Sequence, residues 1–416
     1  MTWRQATLGD FVALQRGHDL PTQNRENGTV PIMGSFGVTG HHSKAKAKGP
    51  GVTVGRSGAS IGVTSYIEQD YWPLNTCMYV TDFKGNNPRY AYYLLQTLDL
   101  AAHNSGSAQP SLNRNYIYPI DISFPDRCVQ DRIVDLLGSL DDKIELNRRM
   151  NETLEEMARA LFRDWFVDFG PTRRQMEGAT DPAAIMGHAF PPEKAAILAP
   201  LFPAKLGDDG LPEGWDKRPL SEICKFAGGS AFKKDDQGYE HGEVPFIKVS
   251  DMNLTNNERF ILSANNYVDL SDQPRMKFKL HPEGAIVLAK IGIALTYNRL
   301  RVLRTPTAID NNLLSATPLA GSAATTFLFL VLSQIDFNLH AKGSALPYLN
   351  ASDLAKIEFN FASEALVTEV EKTVRPLFEK VLANSNENQT LAEMRDLLLP
   401  KLMSGEIRLK DAEAAV

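Results

Sequence analysis

The chain has 416 residues, 43% hydrophobic and 23% charged, with a net charge of −6. That composition belongs to a globular protein of about two domains and excludes a disordered chain. No run approaches the ~20 apolar residues that span a bilayer, the first residues lack a secretion signal, and the 3 cysteines (Cys77, Cys128, Cys224) are too few and too scattered for a disulfide framework or a four-cysteine zinc site. A reducing cytoplasm is the expected compartment.

The charge is uneven. Residues 1–125 carry 10 Lys and Arg against 8 Asp and Glu, and 215–362 carry 16 against 15, whereas 126–170 (7 against 11) and 363–416 (7 against 10) are acidic. Two near-neutral blocks alternate with two acidic ones, which permits a basic face for nucleic acid without requiring one.

From the N-terminus, Val30–Gly34, Gly51–Gly55 and 76–80 are short β-type runs between Gly, Pro and Asn turns, and 90–98 reads as a helix. The glycine-rich stretch 55–62 lacks the Gly-Lys-Ser/Thr of a phosphate-binding loop, so strand turns account for it. His41 and His42 have no carboxylate or cysteine at ligand spacing, and no metal is expected. From Asp131, apolar residues recur at a 4,3 spacing: Ile133, Leu137, Leu140 and Ile144, then Leu154, Ala158, Leu161 and Trp165. This is a coiled-coil seam. Asp141-Asp142 and Glu155-Glu156 read as the solvated face of that helix. Residues 170–214, rich in Pro, Gly and Ala, read as a linker with room for one short helix at 193–198. Beyond it, Val244–Ile247 and 285–289 are again β-type and 325–332 is helical. A second seam follows at Val370, Val374, Leu377, Val381, Leu391, Leu398 and Leu402, with Pro376 expected to kink its start.

The two halves repeat. The segment 106–113 (GSAQPSLN) matches 343–350 (GSALPYLN), and 151–157 (NETLEEM) matches 388–394 (NQTLAEM), both at one offset, while Trp3 and Leu8 match Trp215 and Leu220 at a smaller one. A variable α+β block followed by a well-kept helix therefore occurs twice. Both seams carry a polar gap, Asn147 and Asn151 in the first and Asn384 and Asn388 in the second. Paired antiparallel about that gap, Asn147 faces Asn388 and Asn151 faces Asn384, fixing register at some cost in stability. The other account of the gap is four solvated surface asparagines.

Catalytic signatures are missing. The sequence holds no Gly-x-Gly-x-x-Gly or His-Glu-x-x-His, and Asn87-Pro88-Arg89-Tyr90 is not the Asn-Pro-Pro-aromatic motif of adenine methyltransferases.

The run 124–133 (FPDRCVQDRI), leading through 140–149 (LDDKIELNRR) to 160–169 (ALFRDWFVDF), resembles the central conserved region of the specificity subunit of Type I restriction–modification systems. The Gly-Ser-Ala-x-Pro-x-Leu-Asn segments look like those that close its target recognition domains. The resemblance covers nearly the whole chain and is specific in the helices. The second helix departs from it, with Pro376 and no Trp-Phe-Val-Asp-Phe ending. The resemblance implies an α+β fold: two globular mixed α/β target recognition domains (1–125 and 215–362), separated by two long helices (126–169 and 363–416) that pair as an antiparallel coiled coil, in a pseudo-twofold repeat. It implies a non-catalytic subunit that binds double-stranded DNA, each domain reading half of a bipartite site. It also implies two methyltransferase subunits that bring S-adenosylmethionine and flip the adenine, and restriction subunits that use ATP with magnesium; this chain itself binds no cofactor. About 35 helical residues at ~1.5 Å each would act as a ruler of roughly 50 Å, about 15 base pairs.

Candidate DNA contacts follow from residue chemistry. Lys44, Lys46 and Lys48 alternate beside glycines, suiting either phosphate contact or a solubilising loop. Arg56, Gln109, Asn113 and Arg114 suit phosphates or base edges. In the second block, Lys277, Lys279, Lys290, Arg299, Arg301 and Arg304 are candidates, the three arginines being expected on one strand face; structural ion pairs would look alike. Ser344 and Asn350 read as scaffold, since the repeated loop is shared by domains that read different sequences. Trp165, Phe166 and Phe169 end an exposed helix and are expected to pack on a methyltransferase subunit, with the body of a recognition domain as the alternative. Two other functions stay open: a coiled-coil scaffold that reads no DNA, and a stand-alone DNA-modifying enzyme, against which the missing motifs speak.

Overall fold

A computed structural model describes residues 3–104, 111–319, 325–343 and 345–413. It divides into two compact units, residues 1–145 with 390–416, and residues 146–389.

In the first unit, strands Ala13–Arg16, Cys77–Asp82, Gly51–Gly55 and Thr64–Ile67 lie side by side in that order, all antiparallel. A smaller sheet pairs Val30–Gly34 antiparallel with Gly37–His42 and parallel with Trp72–Pro73. Arg4–Thr7 pairs with Asp121–Phe124, bringing the ends of the block together. The helix Pro88–Thr97 starts where Asn87 caps it, the side chain accepting from the N–H groups of Arg89 and Tyr90. Its buried face (Tyr90, Tyr93, Leu94) shares one core with Ile133 and Leu137 of one long helix and Leu398 and Leu402 of the other.

The second unit draws the same topology again. Strands Cys224–Gly228, Leu313–Pro318, Ile286–Ala289 and Leu300–Leu303 lie in the matching order, and Phe260–Ile261 adds a parallel edge strand. Val244–Ile247 pairs parallel with Thr307–Ile309, and Asp216–Pro219 closes on Glu358–Phe361. The all-apolar run Ile286–Ala289 is buried on both faces, which its lack of alternation requires. The repeat reaches single glycines. A Cβ on Gly17 would lie 2.1 Å from the Leu74 carbonyl oxygen, and one on Gly229 would lie 1.9 Å from that of Asp310, so each frame depends on backbone crossing backbone at a residue without a side chain.

The long helices are Arg127–Phe166 and Glu364–Ser404. The second runs through Pro376 without interruption.

Residues 170–214 hold more structure than a linker. They form helices Gly170–Met176, Pro182–Ile185 and Pro192–Leu198. Ile185, Met186, Leu198 and Phe202 enter the core of the second unit. Pro171, Pro182 and Pro192 sit in the first turns of these helices, where a missing N–H costs nothing, so composition misleads.

Candidate nucleic-acid interface

The four asparagines lie on the seam of the second unit. Asn147 and Asn384 are 1% exposed and Asn388 is 5% exposed. Asn147 Nδ2 donates to Asn388 Oδ1 at 3.0 Å, and Asn384 Nδ2 donates to Asn151 Oδ1 at 2.8 Å. Residue numbers rise along one helix as they fall along the other, so the helices run antiparallel here.

Three acids expected on a solvated face, Asp141, Asp142 and Glu155, make structural contacts instead. In the first unit, Asp141 accepts from the Tyr93 hydroxyl at 2.6 Å and from Arg395 Nη1 at 2.8 Å, while Arg89 bonds Asp142 at 2.7 Å. In the second unit, Glu155 pairs with Arg259. Each carboxylate fastens a domain to its own stretch of helix, a partner that helical periodicity cannot reveal.

The aromatic end of the central helix is a correction. Trp165, Phe166 and Phe169 do not face outward; they are 1%, 2% and 8% exposed. Phe166 stacks on Phe162 at 4.7 Å and meets Trp215 at 5.3 Å, and Trp165 meets Phe202 at 5.5 Å. The chain covers this apolar end with its own second domain and with the segment 170–214.

The lysine run of the first domain is exposed, but each member has an internal neighbour. Lys44 lies 3.6 Å from Glu26, Lys48 lies 2.6 Å from Asp70, and Lys46 sits over the Trp72 ring at 5.5 Å. The hydrogen bond to Asp70 and its charge hold the Lys48 ammonium above the usual lysine range.

Arg56, Asn113 and Arg114, distant in sequence, come together. With Arg16, His18 and Asp19 they line an open concavity of about 770 Å³. Arg16 ends the strand Ala13–Arg16 and Arg56 directly follows Gly51–Gly55. Arg114 begins a one-turn helix that Asn113 caps by accepting from the Asn115 N–H at 3.0 Å. Arg56 Nη1 donates to the Asn75 carbonyl at 3.3 Å and Arg114 Nη1 to the Leu14 carbonyl at 2.9 Å. These contacts orient the guanidiniums without neutralising them. Among the described residues the one lining carboxylate, Asp19, accepts from the Asn75 amide. Burial, and then the like charge of Arg16, hold Arg56 below the usual arginine range. Arg16 has no signature in the sequence; only the fold carries it to Arg56. Gln109 lies outside the described residues.

In the second domain the three-arginine face is a correction. Arg299 and Arg301 bond the same turn, Arg299 to Asn253 and Arg301 through Nη2 to the Met252 carbonyl at 2.8 Å. Arg304 has the opposite strand parity and pairs with Glu283 at 3.3 Å. Burial, with Arg259 and Arg299 nearby, pushes Arg301 down to about 10. Arg301 is therefore committed internally. Lys277 and Lys279 are exposed on the approach to strand Leu280–His281, and Lys290 is half-buried at the end of Ile286–Ala289.

The shared loop behaves as scaffold where it is described. The Leu112 N–H donates to the Arg56 carbonyl at 2.8 Å and the Leu349 N–H to the Lys290 carbonyl at 2.8 Å, with both leucines buried. Arg56 and Lys290 thus hold the same place in the two frames. Asn350 stands before the helix Ala351–Leu354 as Asn113 stands before Arg114–Ile117, although its side chain bonds Asp353 and makes no cap bond. Ser344 lies outside the described residues. Among the described residues, no group of three His, Cys, Asp or Glu could hold a metal, and no helix is long and apolar enough to cross a membrane.

Comparison with known proteins follows the same repeat. A family model described as the Type I restriction modification DNA specificity domain matches twice, at residues 1–156 and 212–363. The specificity subunit of the Type I restriction enzyme HindI of Haemophilus influenzae is 30% identical over 362 residues, 77% of each chain. The MjaIX specificity subunit of Methanocaldococcus jannaschii is 25% identical over 77% of this chain and 69% of its own. The crystal structure of a Type I S subunit from M. genitalium shares the fold at a TM-score of 0.58 and 16% identity, covering 97% of this chain and 96% of its own.

Proposed function

The chain belongs to the Type I restriction–modification DNA specificity family, and we propose that it gives a modification and restriction complex its sequence preference without catalysing a reaction itself. Each recognition domain, 1–125 and 215–362, reads one half of a bipartite site in double-stranded DNA. The paired helices 126–169 and 363–416 set the spacing and dock two methyltransferase subunits. Methyl transfer from S-adenosylmethionine and ATP- and magnesium-dependent restriction belong to the partner subunits, and the complex works in the cytoplasm.

The observation that carries this reading is the doubled family match over a doubled topology. One frame repeated with different surface residues suits a protein that holds two different DNA segments in one way. Arg16, Arg56 and Arg114 share one concavity and form no ion pair among the described residues, which suits a polyanion. The test is adenine-methylation mapping in cells that carry this chain with its neighbouring methyltransferase, against cells lacking only this chain. A split motif that disappears on deletion supports the reading, and exchange of residues 1–125 should then alter one half alone. An unchanged pattern with an active methyltransferase supports the scaffold instead.

A further inference from the structure

The concavity of the first domain has no charge-equivalent on the matching frame of the second. Arg16 pairs with Met78 at the end of its strand, one residue before Gly17; the matching position pairs with Leu314, one residue before Gly229, and is Gly228. Arg56 corresponds to Lys290 through the leucine contact of the shared loop. Arg114, after Asn113, corresponds to Ala351, after Asn350. One frame therefore presents three guanidiniums where the other presents a single ammonium.

Like charges crowded at one concavity destabilise the folded chain unless an anion offsets them. Asp19 offsets only part of this: it is one carboxylate against three guanidiniums, bonded to the Asn75 amide and, among the described residues, in no ion pair with them. Among the described residues, the exposed Arg16 guanidinium has no carboxylate within salt-bridge range. A base edge offers neutral acceptors, whereas a phosphate offers full charge and oxygens for several N–H donors at once.

We propose that Arg16, Arg56 and Arg114 receive a backbone phosphate of duplex DNA, so that the first domain holds its half-site by an anchor the second domain does not share. This rests on the DNA-reading function proposed above. Arg16 makes the open contact, while Arg56 and Arg114, oriented by the Asn75 and Leu14 carbonyls, deepen the charge behind it.

The experiment measures binding of the full chain, complexed with its methyltransferase subunits, to a duplex carrying the mapped motif, across a range of salt concentrations. Arg16 is exposed, so Arg16→Ala should fold normally. It should weaken binding and reduce the slope of log K against log salt by about 0.9, the value of one B-DNA phosphate. Arg16→Lys, which keeps the charge, should restore the slope, and the methylated motif should be unchanged in both. An unaltered slope in Arg16→Ala would overturn the anchor while leaving DNA reading intact. A changed base preference in one half-site would also overturn it, making Arg16 a base-reading residue. Absence of motif-specific binding by the unmutated complex would instead defeat the underlying function.

Discussion

Arg259 closes a buried ion pair on Glu155, its Nε 2.9 Å from Oε1, with the guanidinium lying 4.0 Å from the centre of the Phe329 ring. The arginine is 6% exposed, and the Arg259 carbonyl accepts from the Val302 N–H at 2.9 Å. The pair therefore links the central helix to a strand of the second sheet. Removing Glu155 strands the buried Arg259 charge, so Glu155→Ala should cost about 3–5 kcal/mol. Arg259→Ala should cost less, because Glu155 is partly exposed and keeps Arg159 at 3.6 Å. A double change to apolar residues of similar volume should recover most of the Glu155→Ala loss. Chemical denaturation of the three variants checks this, and equal losses in single and double variants would count against the pair.

Trp165 gives the second prediction. Filling the core of the second unit, Trp165→Ala should destabilise the isolated chain by about 3–5 kcal/mol. A partner-facing tryptophan would leave the isolated chain's stability unchanged and weaken only subunit binding. Measuring both stability and methyltransferase affinity separates the two.

Legibility in the sequence depended on the range of the interaction. The asparagine gap was visible because heptad spacing carries it and two copies share it. Trp165 and Phe166 were misjudged because an apolar helix end looks the same whether its own chain or a partner covers it. Arg301 lay in a readable strand, but its acceptor, the Met252 carbonyl, is 49 residues away and carries no signal. The parity of Arg304 against Arg299 and Arg301 was available from counting and excluded a common face. Arg16 and Arg259 were missed because each gains its meaning only from long-range packing, beside Arg56 for one and against Glu155 for the other.

The asparagine ladder should trade stability against register. Asn388→Leu leaves the buried Asn147 amide without its 3.0 Å acceptor and should cost about 1–3 kcal/mol, although Asn147 keeps its 2.7 Å bond to Glu387. The pair Asn147→Leu with Asn388→Leu should match or exceed wild-type stability but admit a shifted register. Cysteines introduced as Asn151→Cys and Asn384→Cys would report the shift as a lower cross-linking yield in the paired background.

His281 should make the second domain acid-sensitive. It is 3% exposed, its Nδ1 lies 2.6 Å from the Ser315 hydroxyl, and burial followed by the charge of Lys279 pushes its pKa down to about 4. The folded chain thus holds the ring neutral where an unfolded chain, titrating at about 6.5, would protonate it. A pKa lowered on folding contributes stability that is complete above the unfolded value and is lost as pH falls towards the folded one. Stability should therefore decline between about pH 6.5 and 4. Carboxylates titrate at the lower end of that window, so the informative quantity is the difference from His281→Gln. That variant should be less stable than wild type at pH 7, where the neutral ring packs well and bonds Ser315. Its disadvantage should shrink on acidification to pH 5, because it has no proton to gain on unfolding. Denaturant midpoints of the two proteins at both pH values check this, and parallel declines would show that His281 does not govern the acid response.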